Sequence, residues 1–223
     1  MRPNILVIAG HDPSGGAGIH ADIEAIQSTG GFASTLITAL TVQNSRKVSS
    51  FQLTPLELLE QQADALLADY EFQAVKIGMT GSVATVEWIA RLLARLPGVP
   101  VVLDPVLAAE SGGSLAQGDL NEALMDRVAP QATVLTPNLP EAGQLSGETG
   151  VAEAGAALTR RCGRAVLVTG THDDTDQVAN HLFQGEHHRQ WEWPRLPEVY
   201  HGSGCSLASA IASLLARGLP LED

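Results

Sequence analysis

The sequence predicts an α/β fold in three layers, a mainly parallel central sheet with helices on both faces. Three observations carry this prediction. Short β-rich runs alternate along the chain with longer amphipathic segments, the order of repeated βα units. The strand-like runs are apolar almost throughout, as parallel strands buried on both faces are. The residues directly after those runs are polar and glycine-rich, and parallel sheets bind ligands at that carboxyl edge.

The elements follow in order. Residues 4–9 (NILVIA) form a first strand that Gly10 ends, and residues 17–28 a helix. Residues 35–42 (TLITALTV) are a second strand. Residues 55–69 are helical, with Thr54 as the expected N-cap, Pro55 at the first helical position and Glu57 close behind. Strands at 74–77, 99–103, 133–135 and 165–168 alternate with helices at 82–96, 119–128, 141–145 with its neighbours, and 153–161. Residues 178–183 and 188–193 alternate in polarity around Gly185, the pattern of a small β-hairpin. Its exposed edge offers a pairing surface for a second copy, as in a homodimer.

Composition narrows the function. At 223 residues and 44% apolar content the chain suits a single domain over 1–223. A net charge of −12 opposes binding to nucleic acid or to anionic membranes. Two cysteines, Cys162 and Cys205, are too few for a disulfide framework and point to a reducing cytoplasm. The sequence shows neither a signal peptide nor a membrane span. Seven histidines are scattered and suggest no zinc site.

The most informative segment is Gly202-Ser203-Gly204-Cys205, ahead of a small-residue helical run. A glycine-rich helix start leaves backbone N–H groups unpaired, and the helix dipole adds positive charge there, so the site suits an anion. A thiol at that spot is expected to gain thiolate character, since helix N-termini lower a cysteine pKa from about 8.5. A tight turn before a buried helix, with Cys205 a small core residue, explains the segment equally well. The first strand opens into Gly10-His11-Asp12-Pro13-Ser14-Gly15-Gly16-Ala17-Gly18. Gly16–Ala21 formally matches the dinucleotide pattern, but the second strand ends in Gln43-Asn44 rather than an acid, and no P-loop lysine follows. Asp22, one turn beyond Gly18, faces either the same ligand or solvent.

The strings AGHDPSGGAGIHAD, ITALTVQN, KIGM, DPV, TPNLPEA and HGSGCSLASA occur in this order. Together they resemble the bacterial hydroxymethylpyrimidine/phosphomethylpyrimidine kinases of thiamine biosynthesis, members of the ribokinase-like superfamily. The resemblance runs from residue 4 to residue 223. It implies an ATP- and Mg²⁺-dependent phosphotransferase acting on a small pyrimidine. On that model Gly202, Gly204 and Cys205 form the anion hole, with Cys205 as the base that takes the substrate hydroxyl proton. Gln43 reads the aminopyrimidine edge with its amide donor and acceptor. Asp22, Met79 and Val106 line the same pocket. Asn138, Thr169 and Thr171 lie at the nucleotide, and Asp104 and Glu141 supply oxygen donors to Mg²⁺.

Two departures stand out. Thr169 occupies a position where the family commonly has lysine. Members also run on by roughly forty residues of helix and tail, length that bears on how the core is covered. The readings left open are a pyridoxal kinase of the same superfamily and a non-catalytic pyrimidine-binding relative.

Overall fold

From its N-terminus the chain runs β1 (Asn4–His11), α1 (Gly18–Ser28), β2 (Phe32–Asn44), β3 (Lys47–Leu53), α2 (Leu56–Asp69), β4 (Ala74–Ile77), α3 (Val83–Leu93) and β5 (Val101–Leu103). It continues through α4 (Leu120–Ala123), β6 (Val134–Leu135), α5 (Leu139–Ser146), α6 (Val151–Cys162), β7 (Ala165–Val168), β8 (Gln177–Gln184), β9 (His187–Pro194) and α7 (Ser203–Ala216). This computed structural model describes residues 2–107, 119–170, 176–198 and 200–223. The described strands form one sheet in the order β3-β2-β1-β4-β5-β6-β7-β8-β9. The pairs from β2 through β1 to β7 are parallel, and β3, β8 and β9 add antiparallel edges.

The two-residue period of a strand sorts the core into two faces. Ile5, Val7 and Ala9 of β1 pack with Ile19 and Ile26 of α1 and Ala208 and Ala212 of α7. Leu6 and Ile8 instead join the core built by Leu59 of α2, Trp88 and Ile89 of α3, Ala142 of α5 and Leu158 of α6. The expected three-layer arrangement with helices on both faces is therefore present. The same parity places Lys76 with Ala74, and Asp104 with Val102, on the α1–α7 face. No described helix is long and apolar enough to cross a membrane.

The structure differs from the sequence reading at three points. β2 runs on to Asn44 and turns back into β3, a strand the apolar pattern misses because residues 47–53 are mostly exposed. The Asn44 side chain accepts the Arg46 and Lys47 N–H groups at 2.9 and 3.1 Å and so builds the turn. Thr54 does not cap α2. Its N–H bonds Thr38 O, and Pro55 takes the cap position with no side-chain bond. α4 is short and continues as a π turn over Leu124–Val128.

Leu36 is fully buried on β2, whereas Leu40, four residues on, is 52% exposed. Leu36→Ala is expected to cost about 2–5 kcal/mol, measured by urea unfolding. Leu40→Ala should stay within about 0.5 kcal/mol of wild type.

Candidate active site

A cleft opens over the carboxyl ends of the parallel strands. Gly10 and His11 enter it from β1, Thr41, Gln43 and Val48 from the β2–β3 hairpin, Met79 from the loop after β4, and Asp104 and Val106 after β5. Thr136, Asn138, Glu141 and Thr169 line its other end, and His201 to Cys205 close the side facing α1. Thr38 Oγ1 donates to Met79 O at 2.6 Å and fixes the loop that carries the sulfur.

A buried charge cluster forms the floor. Lys76 Nζ donates to Asp22 Oδ1 at 2.8 Å and lies 3.6 Å from Asp104 Oδ2. Ser209 Oγ of α7 donates to the same Asp22 oxygen at 2.7 Å. Burial alone would lower the Lys76 pKa, but Asp22, Cys205 and Asp104 outweigh it and hold the ammonium well above the ordinary lysine value. The Asp104 carboxyl is pushed up, by burial first and then by Asp22, against the opposing pull of Lys76.

The cradle at α7 is built from backbone. Gly202 stands at the N-cap with φ +79° and no side chain caps α7; the Ser203 N–H bonds Tyr200 O at 3.4 Å, and Gly202–Cys205 line the cleft. A Cβ on Gly202 would overlap Gly16 O, so the glycine is required by contact as well as by conformation. Among the described residues, a Cβ on Gly204 would meet no heavy atom from outside its own helix turn within 4 Å.

Comparison with known proteins decides what the cleft belongs to. The phosphomethylpyrimidine kinase family model matches residues 12–223. The chain belongs to the phosphomethylpyrimidine kinase family. It is 38% identical over 235 residues to the hydroxymethylpyrimidine/phosphomethylpyrimidine kinase of Rhizobium meliloti, covering 100% of this chain and 86% of that protein. It is also 38% identical to a thiamine biosynthesis bifunctional protein of Geobacter sulfurreducens, and spans 46% of that longer relative's length. Among solved structures, phosphomethylpyrimidine kinase from Clostridium difficile superposes with a TM-score of 0.85 at 31% identity, over 99% of this chain and 94% of that one. The ADP complex of Bacillus subtilis pyridoxal kinase superposes with a TM-score of 0.91 at 28% identity, over 100% and 87%. These matches bear out the family expected from the sequence and its ribokinase-like fold.

Most of the residues singled out in the sequence gather in this family's cleft. Gln43, Met79, Val106, Asp104, Asn138, Glu141, Thr169, Gly202, Gly204 and Cys205 all line it. Thr171 lies outside the described residues. Asn138 also caps α5: its side chain accepts the Glu141 N–H at 2.9 Å, and Glu141 Oε2 accepts the Asn138 N–H at 2.9 Å.

Two expectations need correction. Asp22 does not line the cleft. It is fully buried behind Lys76, because that face of α1 packs on the sheet. Nor is the Cys205 thiol acidified. Burial raises its pKa well above the ordinary thiol value, and Asp104 and Asp22 add to that rise. Lys76 and the Gly18 N–H pull the other way and lose. Sequence reasoning also missed Lys76 as a site residue, although a lysine inside the otherwise apolar AVKI run is a signal of burial beside acids.

Two outcomes follow from this cluster. Asp22→Ala leaves the Lys76 ammonium undercompensated and should cost about 3–5 kcal/mol in urea unfolding, with much of it recovered in the Asp22→Ala/Lys76→Met double variant. A thiol with a raised pKa stays protonated at pH 7. In a Cys162→Ala background, iodoacetamide should therefore modify Cys205 slowly at pH 7, and faster only as pH rises through and beyond the ordinary thiol range. Rapid alkylation at pH 7 would contradict the electrostatic account.

Proposed function

We propose that this chain transfers the terminal phosphoryl group of ATP, with Mg²⁺, to the hydroxymethyl group of 4-amino-5-hydroxymethyl-2-methylpyrimidine and to its monophosphate. The observation that carries this reading is a single cleft with a lining of two unlike parts. One part of the lining offers the Gln43 amide together with the apolar cluster of Met79 and Val106. The other offers the uncapped backbone of Gly202–Cys205.

Each residue has a physical task. The Gln43 amide presents one donor and one acceptor to the amino group and ring nitrogen of an aminopyrimidine. Met79 gives a polarisable face to a flat ring. The cradle N–H groups stabilise charge on the phosphoryl group in flight, in a loose transition state governed by positioning and electrostatics. A protonated thiol cannot take the substrate hydroxyl proton, so in this reading Cys205 serves as part of the cradle and not as a preformed thiolate base. Asn138, Thr169 and Thr171 are assigned to the nucleotide.

The donor set fits a hard cation in part. Glu141 lines the cleft, and Asp104 Oδ2 is a buried oxygen with no hydrogen-bond partner, though Lys76 lies close to it. Among the described residues no group of three His, Cys, Asp or Glu could hold a metal alone. That arrangement suits Mg²⁺, which is commonly held by one or two carboxylates together with substrate phosphates. When bound, the ion neutralises charge on the phosphates.

Pyridoxal, which also carries a hydroxymethyl group on a flat heteroaromatic ring, is the second reading. It draws support from the higher TM-score to the pyridoxal kinase. A steady-state assay of both alcohols with ATP tests the proposal. A kcat/KM for the pyrimidine above that for pyridoxal supports it, and the reverse order overturns it.

Gln43→Ala should raise KM for the pyrimidine alcohol by the cost of a lost pocket hydrogen bond, about 1–3 kcal/mol. An unchanged KM would remove Gln43 from the substrate wall. Glu141→Gln keeps an oxygen for the Asn138 cap but loses the charge. It should raise the Mg²⁺ concentration for half-maximal rate, measured by metal titration, without lowering Tm.

A further inference from the structure

Asp12 has no solvent exposure, yet its carboxylate is fully engaged. Oδ1 accepts the Ser14 N–H at 2.8 Å and the Ser14 hydroxyl at 2.7 Å. Oδ2 accepts the Ala17 N–H at 2.9 Å and lies 3.1 Å from His201 Nε2. Burial pushes the Asp12 pKa up, but the bonds from Ser14, His201 and Ala17 outweigh it and hold the group below the ordinary carboxylate value. An ionised carboxylate only accepts hydrogen bonds, so the network assigns a proton to His201 Nε2 whether the ring is neutral or charged.

The partners of this bond come from opposite ends of the chain, and each belongs to a loop that lines the cleft. Asp12 anchors the glycine-rich loop between β1 and α1. His201 directly precedes Gly202, the N-cap of α7. The two loops also pack closely, since a Cβ on Gly202 would strike the Gly16 O backbone atom and a Cβ on Gly16 would lie 2.7 Å from the His201 ring carbon Cδ2. No side chain of its own caps α7. The body of α7 is fixed by its packing on α1 and the sheet, and its first turn is seated against the glycine-rich loop.

We propose that Asp12 and His201 are positioning residues for phosphoryl transfer. Asp12 holds His201, and through it the Gly202–Cys205 turn, at the distance and angle at which the cradle receives the phosphoryl group. This rests on the phosphotransferase reading above. The pyrimidine wall at Gln43, Met79 and Val106 lies on other elements, so loss of the pair should act on kcat and leave KM for the alcohol in place.

The test compares His201→Leu with His201→Gln. Both fill similar space, but only Gln offers a nitrogen donor near the position of Nε2. His201→Leu should lower kcat by about 10²-fold, the scale of an ångström-sized misplacement. KM for the alcohol should be unchanged, and His201→Gln should restore a large part of the rate. Adding Asp12→Asn to His201→Leu should lower kcat little further, as expected for two members of one unit. A binding measurement with ADP alone and with ADP plus aluminium fluoride reads the cradle without any acceptor. His201→Leu should weaken the fluoride-dependent gain and spare ADP itself. Wild-type kcat in His201→Leu, equal loss in the Leu and Gln variants, or a loss confined to KM would each overturn the proposal. A wild-type protein that gains affinity with aluminium fluoride but phosphorylates neither alcohol would defeat the substrate reading and leave the positioning role to be judged on binding. No gain in the wild type would overturn the positioning proposal, while the substrate reading stands or falls on the kcat/KM comparison of the two alcohols.

Discussion

The site depends on one ammonium group held away from water. Lys76 rises from the middle of β4 into the layer of α1 and α7, where Asp22, Asp104 and Ser209 converge on it directly or through each other. Buried ion pairs are a poor source of stability, because desolvation offsets much of their attraction. The arrangement is better understood through its location. It ties two strands to the two helices whose N-termini face the cleft, and it places a positive charge beneath Cys205. Small residues on α7, Ala208, Ser209, Ala212 and Ser213, let that helix lie close to α1 and the sheet so that the contacts can form.

The cleft above this floor is assembled from parts of different rigidity. The strand ends and the Met79 loop are pinned by sheet register and by the Thr38 bond. The wall carrying Thr41, Gln43 and Val48 belongs to a two-stranded extension that projects beyond the parallel strands. The cradle at the first turn of α7 is seated against a neighbouring loop. A kinase of this family must bring a flat ring and a polyphosphate chain together in line. In the proposed reading, the surface assigned to the ring and the surface assigned to the phosphates are set by separate structural means, so each can vary without the other.

Much of this was legible in the sequence because the signals are local. Apolar runs 74–77 and 165–168 coincide with β4 and β7, and the polar residues after the strands do form the cleft. Failures came where a distant element overrode local chemistry. At a helix N-terminus alone, a cysteine should be acidic. Burial within the fold reverses that, helped by Asp104 after β5 and Asp22 on α1, both far along the chain. Asp22 sits on a helix otherwise open to either assignment, and only the packing of α1 against α7 decides that it faces inward. The β3 strand was invisible because an exposed edge strand need not carry an apolar pattern.

Gly204 gives the cradle a property that the folded chain alone would not reveal. Among the described residues, a Cβ on Gly204 would meet no atom from elsewhere in the chain within 4 Å, whereas one on Gly202 would strike the backbone of the opposite loop. Chain folding therefore imposes a side-chain limit at the first glycine and none at the second. In a library of single substitutions sorted first for soluble expression and then for growth without thiamine, Gly202 should be depleted at the first sort. Gly204 should pass it. Depletion of Gly204 variants at the second sort alone would trace the outline of whatever occupies that empty volume during turnover.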